Sequence, residues 1–297
     1  MLNLYDDAIT ILLYHGVTNH ISFGIENNHK KHIQEDIFKR QMEFVKQTSN
    51  ILSVDDLLDF SSEQKILGKN VIITFDDGFE NNYSVAAPIL DSLGIPAVFY
   101  VSAGIVDTNL MFWVDVLEDC INLTDKQNIE IIMAERLYVF DMTTFESKLN
   151  ALNIIKGYCK RCVANEKDNI MQQVQEETRI VSKISHSPNY RKITWKQIKE
   201  LNSNKLFTIG GHGMYHNILS KLDSKRLIEE ISLSLGLLEY HLGEKVKHYS
   251  YPEGLEEHFN QKVIDQLISS GVRCCPTAMP GPNSSIKDLF RLRRNMV

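Results

Sequence analysis

The sequence predicts an α/β fold, because short apolar runs alternate with amphipathic helical stretches and several runs stop abruptly at acids or histidines. The runs at 9–14, 71–75, 97–101, 207–211, 246–251 and 272–275 are almost continuously apolar, as strands buried on both faces must be. Between them, residues 35–48 set Phe38, Met42 and Val45 on one helical face. Residues 81–93 form a second helix, stopped by Gly94-Ile95-Pro96 just ahead of the next strand. The strongest helical pattern, 222–242, has Asp223 and Ser224 as candidate N-caps and stops at Gly243. Such alternation fits a barrel or an open doubly wound sheet, and periodicity does not choose between them.

A chain of 297 residues, 43% hydrophobic and 24% charged, can build a large core in one big domain or two. Its formal net charge of -6 gives no support for nucleic acid or an anionic membrane as the main partner. No apolar run is long enough to span a bilayer, and the N-terminus lacks a basic segment followed by an apolar one. No integral membrane segment is therefore expected, the expected location is cytoplasmic, and the oligomeric state is left open. Five cysteines, an odd number, argue against a fully paired disulfide framework. Cys159 and Cys162 make a CxxC, but in a polar helical stretch with no strand before it, so reduced thiols are expected. From 107 to 191 the rhythm breaks into a charged, mostly helical stretch, read as an insertion within a single domain spanning 1–297. Residues 20–32 read as an exposed loop.

The strongest chemical feature is Val71-Ile72-Ile73-Thr74-Phe75-Asp76-Asp77-Gly78, a buried strand ending in two acids and a glycine. Ligands of α/β folds gather at the carboxyl ends of parallel strands, and two adjacent carboxylates there repel unless a cation neutralises one. Read alone, Asp77-Gly78 could equally be a plain turn with Asp76 as a helix cap. A second strand ends in Gly211-His212-Gly213-Met214-Tyr215-His216, two histidines four apart. On one helical turn that spacing places both imidazoles on one side, a metal-chelating arrangement, although such pairs are more often solvated or capping residues. A third ends in Tyr251-Pro252-Glu253-Gly254, a rigid turn able to aim a backbone N–H at a site or simply to join strand and helix. The first strand ends in His15-Gly16. Four strand ends carrying polar groups at one face are a rarer coincidence than any single motif.

Together these motifs, in this order, resemble the polysaccharide deacetylase family (the NodB-homology group, carbohydrate esterase family 4), over roughly 8–105 and 193–297. Phe112-Trp113-Val114-Asp115 is similar to insertions in some members. The resemblance implies a distorted (β/α) barrel of about seven parallel strands, interrupted by a helical insertion at 107–191. It implies removal of an N-acetyl group from an amino sugar in a polysaccharide or glycan precursor. Asp77, His212 and His216 would hold a divalent metal ion, zinc being the one expected, which polarises the amide carbonyl. Asp76 would be the general base, and the backbone N–H of Glu253, within the substrate-binding turn Tyr251-Pro252-Glu253, would hold the oxyanion. Many members take their general acid from a Leu-x-His strand end near the C-terminus. None follows Gly254 here, and Leu13-Tyr14-His15 matches it instead, as in members with permuted motif order. Gly213 stands where Ser or Thr is usual, Ser250 replaces an arginine that steadies the base, and Glu253 replaces an aromatic residue. Arg294 occupies the place of a late arginine able to pair with Asp76.

Two other readings share these residues. A deformylase of a formamido sugar would need the same site with a smaller acyl pocket. A carbohydrate-binding protein that kept the fold without catalysis would have no use for an acid beside the metal ligand. A magnesium phosphohydrolase is disfavoured because magnesium rarely takes two histidines.

Overall fold

In the computed structural model, which describes residues 2–60, 65–180 and 187–297, strands and helices alternate along most of the chain. In order they are β1 (Ala8–Tyr14), β2 (Gly16–Thr18), β3 (His32–Gln34), α1 (Glu35–Thr48), β4 (Asn50–Ile51), α2 (Asp56–Asp59), β5 (Lys69–Phe75), α3 (Ala87–Leu93) and β6 (Ala97–Val101). There follow α4 (Trp113–Leu123), β7 (Asn128–Met133), β8 (Arg136–Asp141), α5 (Phe145–Cys159), α6 (Ala164–Thr178) and α7 (Trp195–Ser203). The chain finishes with β9 (Phe207–Gly211), α8 (Ser224–Leu242), α9 (Gln261–Ser269) and β10 (Arg294–Met296). Contacts divide it into two units, one of which takes in the chain up to Asn19 with Lys31–Asp107 and Lys192–Val297. The other comprises His20–Lys30 and Thr108–Arg191.

The first unit is a parallel sheet in the order β10-β1-β5-β6-β9, with β4 against the start of β5. All seven residues of β1 are buried, as expected of a strand covered on both faces. The sheet curls on itself. Beyond β9, Gly211 bridges Tyr249 and His248 bridges Cys274, both in parallel sense. Cys275 and Thr277 then donate backbone N–H bonds to Leu289 and Leu292, and Arg294 donates to Met279. Since β10 lies beside β1, those bonds close a distorted barrel. The predicted strands at 246–251 and 272–275 therefore occupy staves of the barrel but are not continuous strands. Each meets its neighbour over one residue pair, because twist and tilt splay the ladder on the closing side.

Aromatic rings fill the space behind the site. Phe75 stacks on Phe99 at 5.1 Å and on Tyr14 at 5.5 Å between centroids. Truncating Phe75 to alanine would cost about 3–5 kcal/mol, the usual penalty for emptying such a position. Helix α1 turns Phe38, Met42 and Val45 inward, and Glu35 and Asp36 in its first turn complement its dipole. Helix α8 is capped by the Asp223 side chain and ended by Gly243 at φ 76°. The helix predicted over 81–93 opens instead with a π turn, Asn82–Ala86, before α3. Pro88 has no N–H for the carbonyl of Ser84 and crowds it, which widens that turn.

The second unit has its own core, in which Leu117, Ile121, Ile129, Ile131, Leu152, Ile155 and Val174 are buried together. It is mostly helical, as expected, but it also holds a hairpin in which β7 and β8 pair antiparallel, Met133 opposite Arg136. Their two-residue turn, Ala134-Glu135, has φ of 48° and 60° without a glycine, so no turn residue announces it. Residues 181–186 of the predicted insertion lie outside the described residues. Nor is 20–32 simply an exposed loop, since Ile25 is buried in this second core and His32 is buried in β3. Among the described residues, no helix is long and apolar enough to cross a membrane. All five cysteines are free thiols, and burial pushes Cys159 up to about 12, which keeps it protonated near neutral pH.

Candidate active site

Strands β1, β5 and β9 run parallel, so their carboxyl ends deliver His15, Asp76-Asp77 and His212 to one rim of the barrel. Asp77 leaves β5 in the left-handed region, φ 79°, and Gly78 continues there at 81°. A non-glycine residue held this way costs about 1–3 kcal/mol and is characteristic of functional sites.

Asp77 is 1% exposed. Its Oδ1 lies 3.3 Å from Nε2 of His212 and 3.3 Å from Nε2 of His216, and its Oδ2 lies 2.8 Å from Nζ of Lys31. Nδ1 of His212 sits 2.8 Å from the carbonyl oxygen of Ser250, which can only accept, so Nδ1 carries a proton and Nε2 is turned toward Asp77. The ring is anchored further by His212 N–H donating to Val101 and by the Ser102 hydroxyl donating to the His212 carbonyl.

The two histidines do not share a helical turn, as their spacing suggested. Residues 212–216 form a loop, and His216 reaches the site with φ 58°. Glu230 of α8 shapes that loop: its Oε1 accepts from the backbone N–H of Met214 at 2.8 Å and Tyr215 at 3.0 Å, and its Oε2 from the Asn217 amide at 3.1 Å. A Cβ on Gly213, at φ 80°, would stand 2.9 Å from Glu230 Oε1. The glycine thus replaces the usual hydroxyl residue where a buried carboxylate comes close. Glu230 was not singled out in the sequence, although a signal exists: it is a charge on the inward face of α8, between buried Leu227 and Ser234. Lys31 left no comparable signal.

Asp76 is saturated. Arg294 Nη1 and Nη2 donate to its Oδ1 and Oδ2, each at 2.7 Å, and the Ser250 hydroxyl donates to Oδ2 at 3.2 Å. The guanidinium is fully buried, donating also to Ser250 Oγ, Thr74 Oγ1 and the Thr277 carbonyl. Burial alone would raise the Asp76 carboxyl, but Arg294 and His212 outweigh it and hold it below the usual range. For Asp77 burial is likewise the largest influence, yet Lys31 and His216 keep it well below that range. Burial opposes a charge on His212, but Asp76 and Asp77 prevail and raise it. In His216 burial wins and lowers the imidazole to about 4.

His15 is partly exposed where β1 passes into β2. Its carbonyl accepts from the Asn82 side chain at 2.6 Å. Desolvation lowers its imidazole despite the nearby Asp77 and Asp76, so it rests neutral. Gly16 is required here, because a Cβ would fall 1.9 Å from Nδ1 of His32. In the third motif, Tyr251 is fully buried, stacking on Phe259 at 4.4 Å with its hydroxyl on the Phe290 carbonyl. Its ring is out of a substrate's reach. Pro252 packs beneath Gly213, and Glu253, at φ 64°, lies close enough to His216 to influence its charge.

The donor set suits a divalent ion. Asp77, His212 and His216 offer ligand atoms within 4.8 Å of one another, all on buried residues. Tetrahedral zinc with bonds of roughly 2.0–2.2 Å separates its ligands by about 3.3 Å, the spacing seen from Oδ1 to each Nε2. That buried Oδ1 also has no hydrogen-bond partner, a costly state unless a cation satisfies it. Three protein ligands leave positions open, as in catalytic rather than structural sites.

A parallel barrel carrying paired acids and histidines on its carboxyl rim has the layout of a metal-assisted hydrolase. The sequence pattern described as polysaccharide deacetylase matches residues 64–275, so the chain belongs to the polysaccharide deacetylase family, hydrolases of N-acetyl amide bonds. No curated protein matches it in sequence. In fold it is similar to IcaB from Ammonifex degensii, with a TM-score of 0.61 at 18% identity over 98% of this chain and 92% of that one. It is also similar to the Streptococcus pyogenes deacetylase PplD, with a TM-score of 0.61 at 17% identity over 99% and 93%. The de-N-acetylase from Aggregatibacter actinomycetemcomitans has a TM-score of 0.57 at 18% identity over 97% and 94%.

Proposed function

We propose that this deacetylase is metal-dependent, uses zinc, and removes the acetyl group from an N-acetylated amino sugar in a polysaccharide or glycan precursor. One observation carries the reading: Asp76 is kept ionised by Arg294 directly beside an orphaned Asp77 oxygen that faces two imidazoles. A protein that only bound sugar would gain nothing from that base. The whole chain, 1–297, is proposed to work as one such domain interrupted at 107–191.

Asp77, His212 and His216 would hold the ion, which supplies a Lewis acid for the acetamide carbonyl and acidifies water. Asp76 takes the proton of the attacking water through a lone pair that Arg294 leaves open, since each carboxylate oxygen has two. The backbone N–H of Glu253, held in its left-handed turn, donates to the developing oxyanion. His15, neutral at rest, takes a proton from solvent and passes it to the departing nitrogen, while Asp76 returns the water's proton to solvent after acetate leaves. Arg294 keeps Asp76 oriented. Acetate release from N-acetylhexosamine oligomers, measured with and without added zinc, tests the reading. Zinc-dependent acetate is expected, and release that survives full chelation would defeat it.

A further inference from the structure

Lys31 has no counterpart among the motifs, yet it touches the centre of the site. It lies immediately before β3, where Gly16 N–H donates to its carbonyl at 3.3 Å and so fixes it beside His15. Its Nζ stands 4.6 Å from the centroid of the Phe79 ring, a fully buried side chain two residues after Asp77. From there it reaches Asp77 Oδ2 at 2.8 Å, leaving Oδ1 turned toward His212 and His216.

We propose that Lys31 is a positioning residue for Asp77: it holds Oδ2 so that Oδ1 alone is offered to the metal, and it supplies the counter-charge of that buried carboxylate when no ion is bound. The inference rests on reading Asp77, His212 and His216 as metal ligands. A carboxylate that is 1% exposed is strongly destabilised without a cation, so the metal-free protein needs the ammonium. Once a dication is bound, the same ammonium repels it across one carboxylate. Loosening the outer support of a ligand typically weakens metal binding by roughly 10- to 100-fold. The repulsion between a double and a single charge held on the two oxygens of one buried carboxylate is larger. Removing the charge of Lys31 should therefore tighten metal binding, even though it loosens Asp77. The stabilisation it loses belongs to the metal-free state alone.

The test uses the full chain with zinc as the probe, its affinity measured by competition with a chelator near neutral pH. Lys31→Gln keeps a donor for Oδ2 without the charge, and Lys31→Arg keeps the charge. Lys31→Gln should bind zinc at least about tenfold more tightly than the parent, against the weakening expected from lost support. Its Tm should fall in the metal-free protein and stay near the parent value with zinc, while Lys31→Arg restores both properties. If Lys31→Gln folds only with zinc while Lys31→Arg folds without it, the proposal is equally supported. Unchanged or weaker zinc binding in Lys31→Gln, or an equal loss of Tm with and without zinc, would overturn it. A parent chain that binds no zinc would overturn the metal reading itself, a result distinguishable because it appears before any substitution is made.

Discussion

Asp76 and Asp77 are neighbours in the chain and both are buried, yet the protein treats them in opposite ways. Asp76 is met by Arg294 on both oxygens and by Ser250 on one, both from the barrel's closing side. Asp77 is met on one oxygen by Lys31, while the other faces two imidazoles without a hydrogen bond. The charge of Asp76 is already met by a guanidinium on both oxygens, whereas Asp77 keeps one oxygen without a hydrogen bond and is stabilised by gaining a cation there. On that difference rests our proposal that Asp77 ligates and Asp76 moves protons.

The largest break in this asymmetry should come from the imidazoles that Asp77 faces. His216→Ala should release the metal and bring acetate release to background while the barrel stays folded, as circular dichroism and elemental analysis would show together. On the other side, Asp76→Asn removes the base without touching a ligand, and kcat should fall by roughly 10²–10⁴, the span of general acid–base catalysis. Steady-state acetate release reads this directly.

Arg294→Met strikes the support of Asp76. Breaking a buried ion pair from one side costs about 3–5 kcal/mol, to be read from urea unfolding. The pH dependence has a definite sign. Because Asp76 is depressed in the folded state, its stabilisation is complete above the ordinary carboxyl range and vanishes as pH falls through the lower folded value. The gap between parent and Arg294→Met should therefore be full near neutrality and narrow below about pH 4. The smallest effect is expected at Glu230→Gln, which keeps one acceptor for the Met214 and Tyr215 amides. Zinc affinity should drop by about tenfold through the loosened loop.

How far these features were legible depends on how local their causes are. The continuous apolarity of β1, β5, β6 and β9 marks them directly, and Asp76-Asp77 and His212 stand at their ends because parallel strands share one carboxyl rim. The staves near Tyr249 and Cys274 have the same apolar character, but their ladders are set by barrel closure, which periodicity does not record. The His212 and His216 spacing suggested a helical turn; Gly213 and the buried Glu230 make it a loop instead. Lys31 is brought to Asp77 by the pairing of β2 with β3, two short strands on either side of a segment that belongs to the other unit. Arg294 is far from Asp76 in sequence, and its place follows from β10 closing onto β1.

The central claim, that the two adjacent carboxylates hold different jobs, is tested most directly by metal content measured side by side in Asp76→Asn and Asp77→Asn. Elemental analysis of both variants, purified identically and loaded with zinc, should find stoichiometric metal in Asp76→Asn and little in Asp77→Asn, with both folded and both strongly impaired. Equal loss of metal from the two, or retention in Asp77→Asn with loss from Asp76→Asn, would contradict the account.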